Sequence, residues 1–377
     1  MRILRVAQKL YPDVKGGGPY HVHAMSRDQA AMGHDVTVLT VGDGPPREDR
    51  DGYTVVRKPA IASPLGNAIS PHAAWYLNRS DQFDVVHAHS HLYFSTNLAA
   101  LECRFDSVPL AITNHGLFSQ TAPEWIFDAY LRTAGRWTFN QADVVLCYTD
   151  ADRRRLRDRG VHADIEVVPN GIDTGRFTLD GPESDLVEHD GPVVLFVGRL
   201  VEGKRPGDAV RAVAELRASP SGQDAALYLC GEGPLRDELR ALARELGVGE
   251  AVTFLGHVPY DEMPAVYRSG DVFMLPSRAE GAPRTVLEAR ASGLPTVTSD
   301  LRQVTTSIDA AGLTAPVGDI RGFARALERA LENGTTWRDD RYDWMHTVER
   351  TTEILSTIAE RPNLNDGEKS PRAADSL

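Results

Sequence analysis

The stretch "PVVLFVGRLVEGKRPGDAVRAVAEL", residues 192–216, decides the fold class. Its first part is a continuous apolar, β-branched run rather than an alternating one, as a strand covered on both faces requires. Gly198 closes the run, Arg199 and Lys204 follow, and Pro206 opens a segment with apolar residues at helical spacing. Proline suits the first turn of a helix, where its missing N–H is one of the orphans anyway. A strand, a short turn and an amphipathic helix make half of a βαβ unit, and such units build parallel sheets.

The pattern recurs on both sides. Before it come "RILRVAQ", "DVTVLTV", "YTVVRK", "DVVHAH", "LAITNHG", "DVVLCYT" and "IEVVPNG"; after it come "AALYLCG", "AVTFLG", "DVFMLPS" and "PTVTSD". Helical patterns lie between them, among them residues 20–33, 206–217, 234–246 and 283–292. The series restarts near residue 191, after a polar, acidic stretch without periodicity. The sequence therefore predicts an α/β protein of two doubly wound domains facing each other across a cleft. The expected boundaries are 1–173, a linker 174–190, 191–345, a terminal helix 346–360 and a disordered tail 361–377. Aromatic residues in "WRDDRYDWMHTVERTTEILSTIA" suggest that the terminal helix docks, and it is expected to dock back on the first domain. In open α/β sheets ligands sit at the carboxyl ends of strands, so motifs there should converge.

Composition narrows the partners. The 377 residues carry 42% hydrophobic and 25% charged residues, ordinary for a globular chain. A formal charge of −12 argues against a nucleic-acid partner, which demands a basic surface. The lysines are Lys9, Lys15, Lys58, Lys204 and Lys369, so a lysine near a motif draws notice. Cys103, Cys147 and Cys230 form no close pair, which points to a reducing compartment and away from a zinc site. No apolar run approaches the roughly 18–20 residues of a membrane span. The N-terminus reads as a first strand rather than a signal peptide. These features predict a cytoplasmic protein and are compatible with peripheral contact at the inner face of a membrane. The arginine-rich "DADRRRLRDRGV" reads as a solvated helix face, with anionic-membrane contact as the alternative.

Five constellations carry chemistry. Gly16, Gly17 and Gly18 follow the first strand and precede a helix, so backbone N–H groups there can approach a phosphate or sugar. The third glycine of the dinucleotide fingerprint is absent. His115 ends a strand. Arg199 and Lys204 suit a diphosphate, as a fork and a point charge. Gly231 and Gly233 stand at another strand–helix turn, for packing or for a supporting phosphate or base contact. Finally "LPSRAEGAPRTVLEARASGLPTV", residues 275–297, holds Glu280 on a loop and Glu288 inside a helix expected to start at Pro283 and to end at Gly293 and Pro295. Glu288 lies roughly 8 Å along the axis from the helix start, at about 1.5 Å per residue. An acid/base pair on one bond would have its carboxylates face each other, roughly 5–9.5 Å apart. These two fit opposite ends of one elongated ligand, with its anionic middle at the helix N-terminus.

Together the segments "GGGPYHV", "DVVHAH", "TNHG", "VPNGID", "VGRL…GKR", "GEGP", "FLGHVPYDEMPAVYRSGDVFMLPS" and "EGAPRTVLEARASGLPTV" resemble glycosyltransferase family 4, retaining enzymes of the GT-B fold. The likeness runs over most of residues 1–345. It implies a nucleoside-diphosphate sugar as donor and a glycan, lipid-linked or small-molecule acceptor. It implies that Glu280 holds donor-sugar hydroxyls, Glu288 the ribose, and Arg199 and Lys204 the diphosphate. Backbone N–H groups around Gly281, Ala282, Arg284 and Thr285 would meet sugar and phosphate. His115 would reach the sugar from the first domain, Gly16 and Gly17 would lie near phosphate and acceptor, and the base would stack near His257 and Val258. No cofactor or metal is implied. Two departures stand out: Pro283 removes a donor N–H at the corner, and Gln303 lies near a place where the family often has glutamate. A GT-B 2-epimerase and a non-catalytic nucleotide-sugar binder are the rival readings.

Overall fold

The computed structural model describes residues 1–106, 108–117, 124–301, 304, 313–332 and 340–361. Gln303 and the expected tail beyond Arg361 lie outside them. Strands β1 (Arg2–Val6), β2 (Asp35–Val41), β3 (Arg47–Arg50), β4 (Tyr53–Lys58), β5 (Val85–His89), β6 (Leu110–Thr113), β7 (Val144–Cys147) and β8 (Asp164–Val167) form one sheet, ordered β3-β4-β2-β1-β5-β6-β7-β8. Strands β9 (Val193–Val197), β10 (Ala226–Cys230), β11 (Val252–Gly256), β12 (Val272–Leu275), β13 (Thr296–Ser299) and β14 (Leu313–Ala315) form a second, ordered β11-β10-β9-β12-β13-β14.

Helices α1 (Gly17–Ala31), α2 (Pro71–Leu77), α3 (Phe94–Asp106), α4 (Glu124–Tyr130), α5 (Arg136–Phe139) and α6 (Asp150–Asp158) accompany the first sheet. Helices α7 (Pro206–Leu216), α8 (Arg236–Glu245), α9 (Met263–Arg268), α10 (Arg284–Ala291) and α11 (Ile320–Glu332) accompany the second, and α12 (Trp344–Ala359) ends the described chain. The strand order reverses at β1/β5 and at β9/β12, where open α/β sheets leave a crevice for ligands.

Every apolar run singled out above is a strand paired in parallel with at least one neighbour. Strand β3 was not among them, because "REDR" has no apolar residue. It forms by an antiparallel hairpin onto β4. Asp51 and Gly52 in its turn have φ of 46° and 86°, the consecutive positive values that a tight hairpin turn needs. Its charges suit a sheet edge, where they discourage further pairing. The aromatic stretch 124–137 is only partly packed. Phe127 is buried and the Tyr130 hydroxyl donates to His91 O at 2.5 Å, but Trp125 is 74% and Trp137 40% exposed.

The two faces of β1 show how the first domain is built. Leu4 and Val6 point to one cluster, with Val86, Ala88 and Ile112. Ile3 and Ala7 point to the other, with Val36, Val38 and Val85, and there Ile354, Leu355 and Ile358 of α12 complete the core. The terminal helix thus docks back on the first domain, burying side chains worth about 1.5–3 kcal/mol each. Arg5, on that face, is fully buried without a carboxylate, between Ser26 Oγ at 2.7 Å and His87 Nδ1 at 3.3 Å, with Gln29 Oε1 at 2.5 Å. Burial pushes its guanidinium down to about 9.

The chain crosses between the domains twice, and the crossings are paired. Ile172 N–H donates to Tyr342 O at 2.8 Å, and Trp344 N–H donates to Ile172 O at 2.7 Å. Gly171 makes this approach feasible: a Cβ there would lie 2.5 Å from Thr347 Oγ1 and 2.6 Å from Asp343 O.

Candidate active site

The loops after β1, β6, β9, β10, β11 and β12 meet around a cavity of about 530 Å³. Of the site residues singled out in the sequence, Gly16 and Gly17 after β1, His115 after β6, Arg199 and Lys204 after β9, Gly231 after β10, and His257 and Val258 after β11 line it; Gly233 does not, and its virtual Cβ lies 2.3 Å from Leu200 O, so packing accounts for it. The segment after β12 supplies Glu280, Gly281, Ala282, Arg284, Thr285 and Glu288.

Lys204 is aimed by local backbone. The next residue, Arg205, has φ 50°, a left-handed conformation rare outside glycine, and it caps α7 with Pro206 in the first turn. Lys204 Nζ donates to Glu280 Oε1 at 2.5 Å, with the two side chains 14% and 6% exposed. Arg278 N–H donates to Gly203 O at 2.9 Å and ties the two loops together. This pair places a cation and a carboxylate with free lone pairs side by side on the cavity wall.

Helix α10 starts one residue later than expected. Pro283 is its N-cap, with φ −70° and ψ 109°, and the first helical residue is Arg284. The N–H that proline lacks is therefore outside the first helical turn, and the Arg284 and Thr285 N–H groups remain the open end of the helix. Such an end attracts anions. The helix stops where expected: Gly293 has φ 87° after Ser292, and Pro295 follows.

Glu288, one turn into α10, is buried. Its Oε1 accepts from the Tyr260 hydroxyl at 3.1 Å and its Oε2 from the Tyr267 hydroxyl at 3.0 Å, while Arg284 Nε lies 3.7 Å away. Burial holds the carboxyl above its ordinary range, opposed by Arg284 and the two tyrosines. Arg284 is in turn boxed in by Tyr20, Tyr260 and Trp344, with its guanidinium carbon 5.3, 5.9 and 5.2 Å from their ring centres.

His115 has both ring nitrogens engaged: His89 Nδ1 lies 3.0 Å from Nε2, and the Tyr148 hydroxyl 2.7 Å from Nδ1. Burial pushes its imidazole down to about 4, so it is neutral near pH 7. The ring reaches a ligand only by giving up one of these partners. Its backbone makes a second contribution, since a Cβ on Gly281 would sit 2.6 Å from His115 O. The glycine is what lets the domains touch here. Gly231 is similar, with φ 141° and a virtual Cβ 2.0 Å from Gly198 O, so close packing accounts for it at the cavity wall. Gly17 differs: nothing lies within 4 Å of its virtual Cβ, and its surface is open to a ligand.

Several cavity residues were not found from the sequence. Asn170 accepts at Oδ1 from His21 and donates from Nδ2 to Ala282 O at 3.0 Å, bridging the domains. Tyr148, Tyr20 and Tyr260 also line the cavity. Asn170, Tyr20 and Tyr260 lie inside quoted motifs and Tyr148 inside a quoted strand run, but tyrosines at helix or strand ends read as packing. Among the described residues no His, Cys, Asp or Glu group is disposed to hold a metal ion, and no helix is long and apolar enough to cross a membrane.

Comparison with known proteins adds independent findings. The family model described as Glycosyltransferase Family 4 matches residues 15–176, and that described as Glycosyl transferases group 1 matches residues 182–344. A glycogen synthase of Mycobacterium tuberculosis is 30% identical, over 99% of this chain and 97% of its own. A D-inositol 3-phosphate glycosyltransferase of Acidothermus cellulolyticus is 30% identical, over 92% and 87%. Among solved structures, Anabaena HepE in complex with UDP and glucose superposes with a TM-score of 0.75 at 19% identity, over 95% and 100%. At that identity the structural likeness is one of fold.

Proposed function

This chain belongs to glycosyltransferase family 4 and has the GT-B fold, and on that premise we propose that it moves a hexose-type sugar from a nucleoside-diphosphate sugar to an acceptor hydroxyl with retention of configuration. The observation that carries the reading is the Lys204–Glu280 pair, set beside Arg199 and the open end of α10 in one cavity. A carboxylate at one end, cations and helix N–H groups in the middle and Glu288 farther along match the order of sugar, diphosphate and ribose.

In this reading Lys204 holds one oxygen of Glu280 and leaves the other for sugar hydroxyls. The remaining Lys204 N–H groups and Arg199 face the diphosphate, with the Arg284 and Thr285 amides. Glu288 receives the ribose, and the base lies along His257 and Val258. His115 walls the sugar on the first-domain side. The acceptor hydroxyl attacks the anomeric carbon on the face from which the diphosphate departs, and the leaving phosphate takes the proton. Catalysis is charge stabilisation on that leaving group by Arg199, Lys204 and the helix end, with alignment by domain closure. These groups supply the charge without assigning a metal to the step. A glycan, a lipid-linked sugar or a small molecule can be the acceptor.

The test is a panel of UDP-, GDP- and ADP-sugars assayed with wild type and Glu280→Gln. The variant should bind nucleoside diphosphate within a few-fold of wild type and lose at least about 10²-fold in kcat, as losing one transition-state contact does. NMR of the first-formed product should show the donor's anomeric configuration. Full transfer by Glu280→Gln, or an inverted product, overturns the reading.

A further inference from the structure

The sequence points to His115 as the imidazole that meets the donor, yet both of its ring nitrogens are engaged within the protein. A second imidazole lines the same cavity. His21 stands near the start of α1, just after the glycine loop, and its ring meets that of His115 edge-on, with centres 5.2 Å apart. Trp344 meets it edge-on as well, at 5.2 Å, and the rings of His89 and Tyr148 lie 6.0 Å away. Packed among these rings, the imidazole has little room to turn.

The proton on this ring can be placed. Ala282 O only accepts, so the Asn170 amide must turn Nδ2 toward it, at 3.0 Å. Asn170 Oδ1 then faces His21 Nδ1 at 3.2 Å, and an amide oxygen only accepts. The His21 proton is therefore on Nδ1, and Nε2 carries a lone pair. Burial first, then the neighbouring His115 and Arg284, hold the imidazole well below its ordinary range, so it is neutral near pH 7. No described residue hydrogen-bonds Nε2. The ring nitrogens sealed from solvent without a partner, among the described residues, are His89 Nε2 and both of His91. His21 Nε2 is not one of them, so it keeps an open surface, and the space this ring lines is the cavity.

We propose that His21 Nε2 accepts a hydrogen bond from one hydroxyl of the donor sugar, and that Asn170 is the positioning residue that fixes its tautomer. A fixed lone pair selects its ligand group. An ionised diphosphate offers only acceptors and cannot satisfy it, whereas a hydroxyl can. Asn170 also ties the ring to Ala282, two residues on from Glu280, at the sugar end of the donor site. The contact rests on the glycosyltransferase reading above and adds a choice among sugars: a donor lacking that hydroxyl leaves the acceptor unpaired in a closed cleft.

The experiment compares affinities for a nucleoside diphosphate and for its sugar. Calorimetry on the full chain uses whichever of UDP, GDP or ADP binds most tightly, its glucose, galactose or mannose donor, and the monodeoxy forms of that donor. Wild type should bind one monodeoxy donor at least tenfold more weakly than the parent. His21→Phe should bind the nucleoside diphosphate within twofold of wild type and the parent donor at least tenfold more weakly. It should no longer distinguish that monodeoxy donor from the parent. His21→Gln, which restores an acceptor, should recover part of the loss. Asn170→Ala should show weaker discrimination than wild type; full discrimination removes its positioning role. Circular dichroism melts show that the variants are folded, and His21→Ala replaces His21→Phe should the phenyl ring not fit. Equal loss of nucleoside-diphosphate and donor affinity in His21→Phe overturns the proposal, since the lone pair then meets ribose or base. Unchanged discrimination among the monodeoxy donors overturns it too. If wild type binds no nucleotide and no donor, the transferase reading itself has failed, and the contact with it. If wild type binds them and every monodeoxy donor binds like its parent, the His21 contact alone has failed.

Discussion

Gly281 shows what a single missing methyl group does in this cleft. A side chain there would press on the His115 carbonyl at 2.6 Å, so Gly281→Ala must push the domains apart or shift the Glu280 loop. Overpacking of this kind costs about 1–3 kcal/mol. We expect kcat/KM to fall tenfold or more with the melting temperature nearly unchanged, since the strain is relieved by opening rather than by unfolding; steady-state kinetics and a thermal melt read both. At this scale the sequence was informative about which residues matter and silent about their partners. Glu280 and Lys204 were each marked by a motif, but their ion pair joins residues 76 apart. His115 was read as a free arm toward the sugar, and only the structure shows both of its nitrogens engaged. Partner identity is set by how loops from two domains meet, which no local pattern encodes.

Among elements, α10 carries much of the donor contact proposed above, and its supports come from α9 and the segment before it. Tyr267 on α9 is buried and donates to Glu288 Oε2. Tyr267→Phe leaves that buried carboxylate oxygen without a donor, at a cost of about 1–3 kcal/mol. The expected outcome is a loss of that size in urea unfolding. It should come with weaker nucleoside-diphosphate binding by calorimetry, because Glu288 is less firmly oriented. Tyr267→Phe with wild-type stability and affinity would show that Tyr260 alone positions the carboxylate. Strands were the most legible elements, since a continuous β-branched run has few other uses. Strand β3 was not legible from its composition; its Asp51–Gly52 turn was the available signal. Helix α10 was located to within one residue, and that residue decides whether Pro283 removes a useful donor.

For the molecule as a whole, the terminal helix is part of the first domain's core. Leu355→Ala, at a fully buried position against β1 and β5, should cost about 2–5 kcal/mol in chemical denaturation. Its aromatic residues marked this helix as one that docks back on the first domain, but not which of its residues enter that core; those are the aliphatic Ile354, Leu355 and Ile358. Stability should also depend on pH through the buried histidines. Burial pushes His115 to about 4 and His91 to about 3, and His21, His87 and His89 are lowered as well. The unfolded chain takes up protons near pH 6.5, where the folded one refuses them. Stability is therefore full above that pH and drains as pH falls toward 4, by about 1.4 kcal/mol for each tenfold difference in proton affinity. Urea midpoints measured across pH 4–7 check the sign and the window. The paired chain crossings at Ile172 and Tyr342–Trp344 bear on motion. One tether would let the halves swivel freely, like a ball in a socket. Two tethers stitched edge to edge behave as a door hung on a pin: they leave one rotation and suppress twist and slide. In the closure proposed above, each stroke would return Glu280 and His115 to the same facing positions, with the repeatability built into the routing of the chain.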